Sequence, residues 1–332
     1  MKWLILLFLF FLGLAFTEPP TGFYIPEDWP DPTYKSSDNP INSDVISLGR
    51  KLFYDPILSA DSTVSCASCH SPYNSFAHTD HALSHGIRDS IGRRNAPALI
   101  NLAWQSSFMH DGAIHHLDMV PLAPISHPSE MGTNIKEVVH RLNGNVSYAT
   151  MFKKAFGVHK ITGELTLKAI SQFLLTLISS NATYDRVMRK EETFASQEEN
   201  GYRIFKIHCA SCHPEPLFTN GRYYNNGLAE DSILQDKGRM VVTGRSEDSL
   251  AFKVPTLRNI FYTYPYMHDG RFKTLSGVIK HYTSGIQRSP YLAEALKKPI
   301  CISAEEKVDL IAFLKTLSDT QFLFNPAHQY PK

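Results

Sequence analysis

The sequence has almost no excess of charge of either sign, since its 332 residues include 33 Lys and Arg against 32 Asp and Glu. Without a basic surplus it lacks the global field that attracts nucleic acid or an anionic membrane, so we expect no nucleic-acid partner. Glycine is also sparse, with 18 residues, whereas 43% of the residues are hydrophobic. This balance excludes a collagen-like or disordered chain and indicates a globular protein large enough for two domains.

Long hydrophobic runs are equally scarce, and the marked one lies at the N-terminus. Lys2 precedes an apolar run from Trp3 to Leu12, which is followed by small residues at Gly13 and Ala15. The run is shorter than the roughly 20 residues that a membrane-spanning helix needs. Its pattern is typical of a signal peptide. We therefore expect residues 1–17 to be a cleaved leader that directs an otherwise soluble protein to export.

Cysteine is sparse as well, and four of the five cysteines form two copies of one motif. The two Cys-x-x-Cys-His pentads contain Cys66, Cys69 and His70, and Cys209, Cys212 and His213. Two thiols at this spacing reach the two vinyl groups of a porphyrin, and the next imidazole lies where it can bind the iron. The motifs predict two covalently bound c-type haems, with disulfides or a Cys/His zinc site as the alternative. Cys301 lies outside both motifs, and we expect it to be buried.

A second repeat supports two haem units. Residues 108–112, Phe-Met-His-Asp-Gly, recur at 266–270 as Tyr-Met-His-Asp-Gly, and each copy lies downstream of its own haem motif. Extending both copies keeps Leu117 opposite Leu275. Such a repeat indicates duplicated structural units. We predict two tandem cytochrome c domains, residues 18–190 and 191–332, with a polar linker at 190–200.

Apolar residues at helical spacing predict an all-α fold. The predicted helices are residues 43–53 with Ser43 as the cap, a run around Tyr202 and Phe205, residues 162–179 starting at Thr162, and a helix after a capping box at Ser303. Residues 71–95 and 214–255 are rich in Pro, Gly, His and Asn and show neither period. We predict that these two segments are long functional loops wrapped over the haems.

The sequence resembles the bacterial dihaem cytochrome c peroxidase and MauG family. The resemblance runs from about residue 49 to residue 317 and is carried by both pentads and by residues 94–97, 128–132, 254–259 and 266–270. It implies that peroxide reacts at the N-terminal haem and that the C-terminal haem relays electrons. It also implies a periplasmic location and a small cytochrome c or copper protein as electron donor, and it is compatible with a homodimer.

The resemblance assigns the sixth ligand of the C-terminal haem to the position fourteen residues after the repeated His, which is Tyr282. Peroxidases of the family carry Met there and MauG carries Tyr. A Tyr oxygen is a harder and more anionic donor than a Met sulfur, so it should lower the reduction potential. Met267 and His281 are nearby alternatives, and an ordinary buried tyrosine is the other interpretation.

At the N-terminal haem, the resemblance assigns two candidate catalytic residues. His85 lies in the loop that carries a displaceable distal His, with His78 and His81 as weaker alternatives. Glu130 matches the distal Glu, whose carboxylate can move a proton between the peroxide oxygens. Pro124 matches a position in the pocket wall.

Two positions depart from the family pattern. His110 replaces a Trp that lies between the haems, and Val120 replaces a common pocket Gln. An imidazole carries a hole between haems less readily than an indole. Trp104, six residues earlier, could substitute, but we expect a core residue.

The resemblance also implies one calcium ion between the domains. The matching positions are Asn95, Thr263 and Pro265, the last two through backbone carbonyls. Oxygen donors of this kind suit calcium.

Three functions follow from these residues. The first is a periplasmic dihaem peroxidase that reduces hydrogen peroxide to water with electrons from a small donor protein. The second is a MauG-like oxidase acting on a protein side chain, favoured by Tyr282 and disfavoured by His110. The third is a dihaem electron carrier without catalysis, which Glu130 and the long loops disfavour.

Overall fold

A computed structural model describes residues 22–331 of the chain. The predicted signal peptide at residues 1–17 lies outside this range. Within it, no helix is both long and apolar enough to cross a membrane.

The described part of the chain contains twelve α-helices and two short strands, with short 3-10 turns and one π-helical turn between them. In chain order the helices are α1 Ser43–Tyr54, α2 Cys66–Cys69, α3 Leu122–Ser126, α4 Ile135–Asn143, α5 Val146–Phe156, α6 Gly163–Leu175, α7 Thr183–Met188, α8 Ser196–His208, α9 Met240–Thr243, α10 Leu275–Lys280, α11 Ala304–Thr316 and α12 Thr320–Leu323. The strands are β1 Tyr223–Asn225 and β2 Ala251–Lys253. The prediction of an all-α fold is confirmed.

The N-terminal core forms where α1 and α6 pack together around aromatic residues. Phe53 lies 5.2 Å from Phe173 and 5.7 Å from Phe76 between ring centroids.

Helix α1 begins where predicted, but its cap is Asn42 and the assignment to Ser43 is wrong. The Asn42 side chain accepts from the backbone N–H groups of Asp44 and Val45, which satisfies two orphan donors of the first turn.

The C-terminal core forms between α8 and α11, with Phe205 and Phe313 5.0 Å apart. The Ser303 capping box is confirmed, because Ser303 Oγ accepts from Glu306 N and Glu306 accepts from Ser303 N. Helix α8 starts at Ser196, so the second half of the predicted linker is helical. The cause is local, since the Glu198 carboxylate accepts from Ala195 N and caps the helix.

Helix α6 starts after Thr162 as predicted but ends at Leu175, four residues before the predicted end. The residues that follow stay buried because another segment satisfies their backbone. Asn101 accepts from Ser179 N at 2.9 Å and donates to Ser179 O at 3.1 Å. Hydrophobic periodicity therefore continues beyond the helix, while the helix itself stops.

The two predicted loops consist mainly of short turns, and the second also contains the short helix α9 and one small sheet. Strands β1 and β2 are antiparallel and pair Tyr223 with Lys253, and Asn225 with Ala251. The sequence does not indicate this sheet, because three-residue strands are too short to show a period of two.

The repeated pentapeptide adopts the same backbone structure in both halves. Phe108 forms an antiparallel bridge with Ile114, and Tyr266 forms the same bridge with Phe272. The following residues, Met109 and Met267, are both left-handed with φ of 67° and 75°. The duplication seen in the sequence is therefore also a structural duplication.

The end of the chain returns to the N-terminal half. Phe322 and Leu323 of α12 are buried in the N-terminal core, and Phe322 lies 6.1 Å from Phe76. Arg50 Nε donates to the Gln329 carbonyl at 2.7 Å. Conversely, Tyr184 of α7 packs in the C-terminal core. The two cores thus exchange segments, and the predicted boundary at residues 190 and 191 stays a prediction.

Two smaller expectations have opposite outcomes. Trp104 is a core residue as predicted, 8% exposed, with its indole N–H donating to Pro30 O at 2.7 Å. Cys301 is exposed, so the prediction that it is buried is wrong. It lies in the irregular segment before Ser303, where the chain runs over the surface toward α11.

Candidate functional site

Each haem motif forms a tight helical turn. Cys66 and Cys69 bound α2, and His70 N donates to Cys66 O at 3.0 Å. The second motif follows the end of α8 and has the equivalent bond from His213 N to Cys209 O at 2.9 Å. None of the four motif cysteines forms a disulfide, so all four are available for thioether bonds with vinyl groups.

The two motif imidazoles are oriented as metal ligands. His70 Nδ1 bonds to the Phe76 carbonyl at 2.6 Å, and His213 Nδ1 bonds to the Phe218 carbonyl at 3.0 Å. With Nδ1–H donating, the lone pair on Nε2 is free to bind a metal. Burial lowers the pKa of both rings to about 4, so both are neutral at pH 7. The residues therefore fit a haem iron at each motif.

A cavity of about 550 Å³ opens beside the second motif. This volume lies within the usual range for a cofactor site. Its lining includes Cys209, Cys212, His213, Met267, Val278 and Tyr282. The C-terminal haem motif and the predicted sixth ligand therefore share one cavity.

Tyr282 lies in a π-helical turn, His281–Gly285, that continues α10. Such turns are frequent at functional sites. Asn226 Nδ2 donates to the Tyr282 hydroxyl at 3.3 Å, and burial raises the pKa of that hydroxyl. The alternative His281 bonds to Asn226 O through Nε2 at 3.1 Å, whereas Met267 also lines the cavity. The position of Tyr282 would allow its oxygen to bind the iron of the C-terminal haem. That Tyr282 is the sixth ligand stays a prediction.

The structure brings together the two loops that carry the predicted residues of the peroxide site. His85 O lies 3.4 Å from Cys69 Sγ, and Ile87 N donates to Glu130 O at 2.8 Å. Burial raises the pKa of the Glu130 carboxyl, while the nearby His127 opposes that shift. The Glu130 side chain remains 37% exposed, which leaves a path to water.

His85 belongs to a row of imidazoles. Its ring stacks on His81 with 4.3 Å between centroids, and His81 lies 5.5 Å from His78. His85 Nδ1 also bonds to Asp89 at 3.2 Å. The rings of His78, His81 and His85 lie so close together that their positions do not show which of them would bind the iron. The role of His85 as the displaceable distal ligand stays a prediction.

Gly86 lies where the His85 loop and the Glu130 loop touch, and its lack of a side chain permits that contact. A Cβ at this position would lie 2.1 Å from Ser129 O and 2.5 Å from Glu130 Cα, both backbone atoms. Glycine is therefore required here by close approach of two backbones.

We expect Gly86→Ala to destabilise the holoprotein by about 1–3 kcal/mol, the usual cost of overpacking, and to slow peroxide turnover by separating the loops. Denaturant unfolding and initial rates measure the two effects. Gly144→Ala is the matched control, because the nearest atom to its Cβ is 3.5 Å away. Equal stability of the two variants would contradict the close approach.

The two repeats contact each other between the two halves of the protein, in a symmetric region around Asn95, His110, Lys253 and His268. We call this region the seam. Asn95 N donates to His268 O at 2.7 Å, and Lys253 N donates to His110 O at 2.7 Å. His110 Nε2 bonds to Asn95 O at 2.9 Å, and burial lowers the pKa of His110 to about 4. The residue that replaces the family Trp is thus a neutral imidazole in the seam.

An ion-pair cluster in the same seam was missed by the sequence analysis. Arg94 donates to both carboxylate oxygens of Asp236, at 2.6 and 2.8 Å, and to Asp111 at 2.6 Å. Asp236 lies in the second long loop, 142 residues from Arg94. Only the recurrence of Asp in the repeat hinted at a role for Asp111.

The predicted calcium residues line one wall of the cavity, namely Asn95, Thr263 and Pro265. Asn95 Nδ2 donates to Ala82 O at 3.0 Å, so Oδ1 is the atom left for a cation.

The seam holds a further cationic group that was not predicted. Burial lowers the pKa of Lys253 to about 8, so its amine is mainly charged at pH 7.

Two covalent haem motifs, each with a half-buried neutral imidazole, define a dihaem c-type cytochrome. Sequence comparison agrees, because the profile described as di-haem cytochrome c peroxidase matches residues 43–193 and that of cytochrome c matches residues 198–318. The chain belongs to the dihaem cytochrome c peroxidase and MauG family, whose members are oxidoreductases.

Relatives of both kinds are similar to the chain. The methylamine utilization protein MauG of Methylorubrum extorquens is 34% identical over 89% of this chain and 83% of that protein. Cytochrome c551 peroxidase of Nitrosomonas europaea is 35% identical over 85% and 82%. The crystal structure of a MauG-like protein associated with microbial copper homeostasis has a TM-score of 0.82 at 30% identity, over 92% and 98%.

Proposed function

We propose that the protein is a dihaem peroxidase that reduces hydrogen peroxide to water at its N-terminal haem, with electrons from a small cytochrome c or copper protein. The observation that carries the proposal is the contact between the Glu130 and His85 loops directly beside Cys69. An electron carrier has no need of a half-buried carboxylate at this position. The non-enzymatic alternative is therefore disfavoured.

The reaction consumes one peroxide, two electrons and two protons and forms two waters. When bound through Cys66, Cys69 and His70, the haem supplies the iron at which peroxide is reduced. Glu130 accepts the proton from one peroxide oxygen and returns it to the other, which leaves as water. Its partial exposure lets it exchange protons with solvent.

His85 makes the peroxide site switchable in this proposal. It would hold the sixth position at rest and leave when the second haem is reduced. The His85 ring is partly exposed, so its side chain can turn toward solvent when it leaves.

The residues around the second motif would hold an electron-relay haem in this proposal. His213 and Tyr282 would hold its iron, and Asn226 would orient the Tyr282 oxygen through its amide. A Tyr oxygen bound to the iron would lower the potential of this haem relative to a Met sulfur. A calcium ion at Asn95, Thr263 and Pro265 would stabilise the seam between the two halves.

A MauG-like oxidase that withdraws electrons from a protein side chain is the second candidate, and Tyr282 is the observation that favours it. His110 opposes it, because an imidazole carries a hole less readily than an indole.

We place either enzyme in the periplasm, following the leader-like N-terminus. A homodimer is part of the same proposal.

Steady-state turnover tests the proposal. Purified holoprotein is mixed with hydrogen peroxide and a reduced small cytochrome c or copper protein, and donor oxidation is followed by absorbance. A peroxidase oxidises two one-electron donors for each peroxide. Peroxide loss without donor oxidation would reject the peroxidase and favour the side-chain oxidase.

The relay ligand gives a separate prediction. We expect Tyr282→Phe to lose a low-spin signal at one haem, because phenylalanine has no donor atom. Tyr282→Met should stay six-coordinate and have a higher potential, because a neutral soft sulfur favours ferrous iron. Electron paramagnetic resonance and redox titration measure both effects.

Tyr266→Phe is the control for this prediction. Tyr266 lines the same cavity, but its hydroxyl donates to Ile260 O at 3.1 Å, so we expect an unchanged spectrum. A Tyr282→Phe spectrum identical to wild type would reject the ligation and remove the main support for the MauG-like alternative.

A further inference from the structure

Lys253 is a cationic side chain whose hydrogen-bond partners are neutral oxygens. Its Nζ donates to Gln105 Oε1 at 2.6 Å and to Ser107 O at 2.8 Å. Both acceptors belong to the other half of the protein, 148 and 146 residues away. The ammonium is therefore coordinated across the seam, much as a metal ion would be.

The internal duplication gives this arrangement a counterpart. Residues 95–120 and 253–278 align without a gap, since His268 follows His110 by 158 residues and the flanking motif residues keep that spacing. At the same spacing, Lys253 corresponds to Asn95, Gln105 to Thr263 and Ser107 to Pro265. The counterparts are the three predicted calcium ligands: Asn95, Thr263 and Pro265.

The correspondence also holds in space. The reciprocal bonds from Asn95 N to His268 O and from Lys253 N to His110 O have the same length, 2.7 Å. Asn95 and Lys253 therefore occupy equivalent places on the two sides of the seam. Both sites also lie on the wall of the same cavity.

We infer that the Lys253 ammonium occupies the symmetry-related counterpart of the calcium site and acts as a tethered cation in place of a second metal ion. The inference rests on the calcium site proposed above. One detail differs between the two sites, because Gln105 contributes its side-chain oxygen where Thr263 contributes a backbone carbonyl in the family pattern.

The chemistry of the donors supports this inference. An ammonium has three donors and no acceptor, so neutral carbonyl oxygens bind it by the same charge–dipole attraction that binds a hard metal ion. A lysine also brings its charge with the chain, whereas calcium must be acquired. The seam would therefore hold one exchangeable cation and one cation that the chain itself supplies.

The first experiment counts calcium. Holoprotein variants are dialysed against buffered calcium, and bound metal is measured by mass spectrometry. We expect one calcium per chain in the wild type and two in Lys253→Asn, because asparagine copies Asn95 and frees the oxygens of Gln105 and Ser107. Asn95→Lys, the reverse exchange, should bind none.

Lys253→Met is the control for charge removal without a new oxygen donor, and it should keep one calcium. A single calcium in Lys253→Asn would overturn the symmetry-related site. Unchanged binding in Asn95→Lys would overturn the equivalence of the two cations. Haem spectra show that each variant is folded. A wild type without calcium would reject the calcium site and the inference that rests on it, whereas the peroxidase proposal depends on the turnover experiment alone.

The second experiment does not depend on calcium. Lys253 lines the cavity of the C-terminal haem, so its positive charge favours the reduced form of that haem. We expect Lys253→Met to have a lower reduction potential at the C-terminal haem and Lys253→Arg to keep the wild-type value in a redox titration. An unchanged potential in Lys253→Met would overturn the role as a tethered cation.

Discussion

Replacing both Cys66 and Cys69 by alanine should leave one haem per chain and abolish peroxide turnover. The two thiols are the attachment points of the N-terminal haem, and His70 alone holds iron weakly once the thioether bonds are lost. Intact mass and the haem absorbance per chain measure the loss. Because the second motif has its own thiols and its own buried imidazole, the remaining haem should keep its spectrum.

Cys301→Ala is the matched control for this experiment. Cys301 is exposed and lies outside both motifs, so this variant should keep two haems and full activity. Replacing Cys209 and Cys212 should remove the other haem and interrupt electron transfer from the donor. A wild-type mass without covalent haem would contradict the whole interpretation.

Glu130→Gln should keep both haem spectra and slow peroxide turnover by about 100-fold or more, the usual contribution of a general acid–base group. Glutamine has nearly the same shape but does not accept and return a proton. Glu164→Gln is the control, since Glu164 is an exposed carboxylate paired with Lys168 on α6. Equal rates for wild type and Glu130→Gln would remove Glu130 from the mechanism.

The pH dependence follows from the same residue. Burial favours the neutral carboxyl and so raises the Glu130 pKa above its ordinary value of 4.5. The proton-accepting form is therefore lost at a higher pH than for an exposed glutamate as the solution is acidified. The acidic limb of kcat/KM should lie above pH 4.5 in the wild type and be absent in Glu130→Gln.

Local patterns in the sequence predicted the haem chemistry well. The thiols and imidazole of each motif lie within one turn, and the Ser303 capping box spans three residues, so neighbouring residues determine both. The Asn42 cap was missed by one position, because Asn and Ser cap helices about equally well.

Contacts between distant residues could not be predicted in this way. Lys253 contacts Gln105 across 148 residues, and Arg94 contacts Asp236 across 142. Nothing in the composition of either segment marks its partner. The sequence does show that the two repeats align without a gap. This alignment identifies equivalent residues across the seam only once the reciprocal backbone hydrogen bonds are known.

The packing of residues 320–329 on the N-terminal core has a consequence for unfolding. Phe322 covers Phe76, and the carbonyl of His328 accepts the Tyr54 hydroxyl at 2.5 Å, so residues 274 positions apart in the chain complete the same core. Without this segment the N-terminal half has no complete core of its own. We therefore expect the two halves to lose their structure in one cooperative transition.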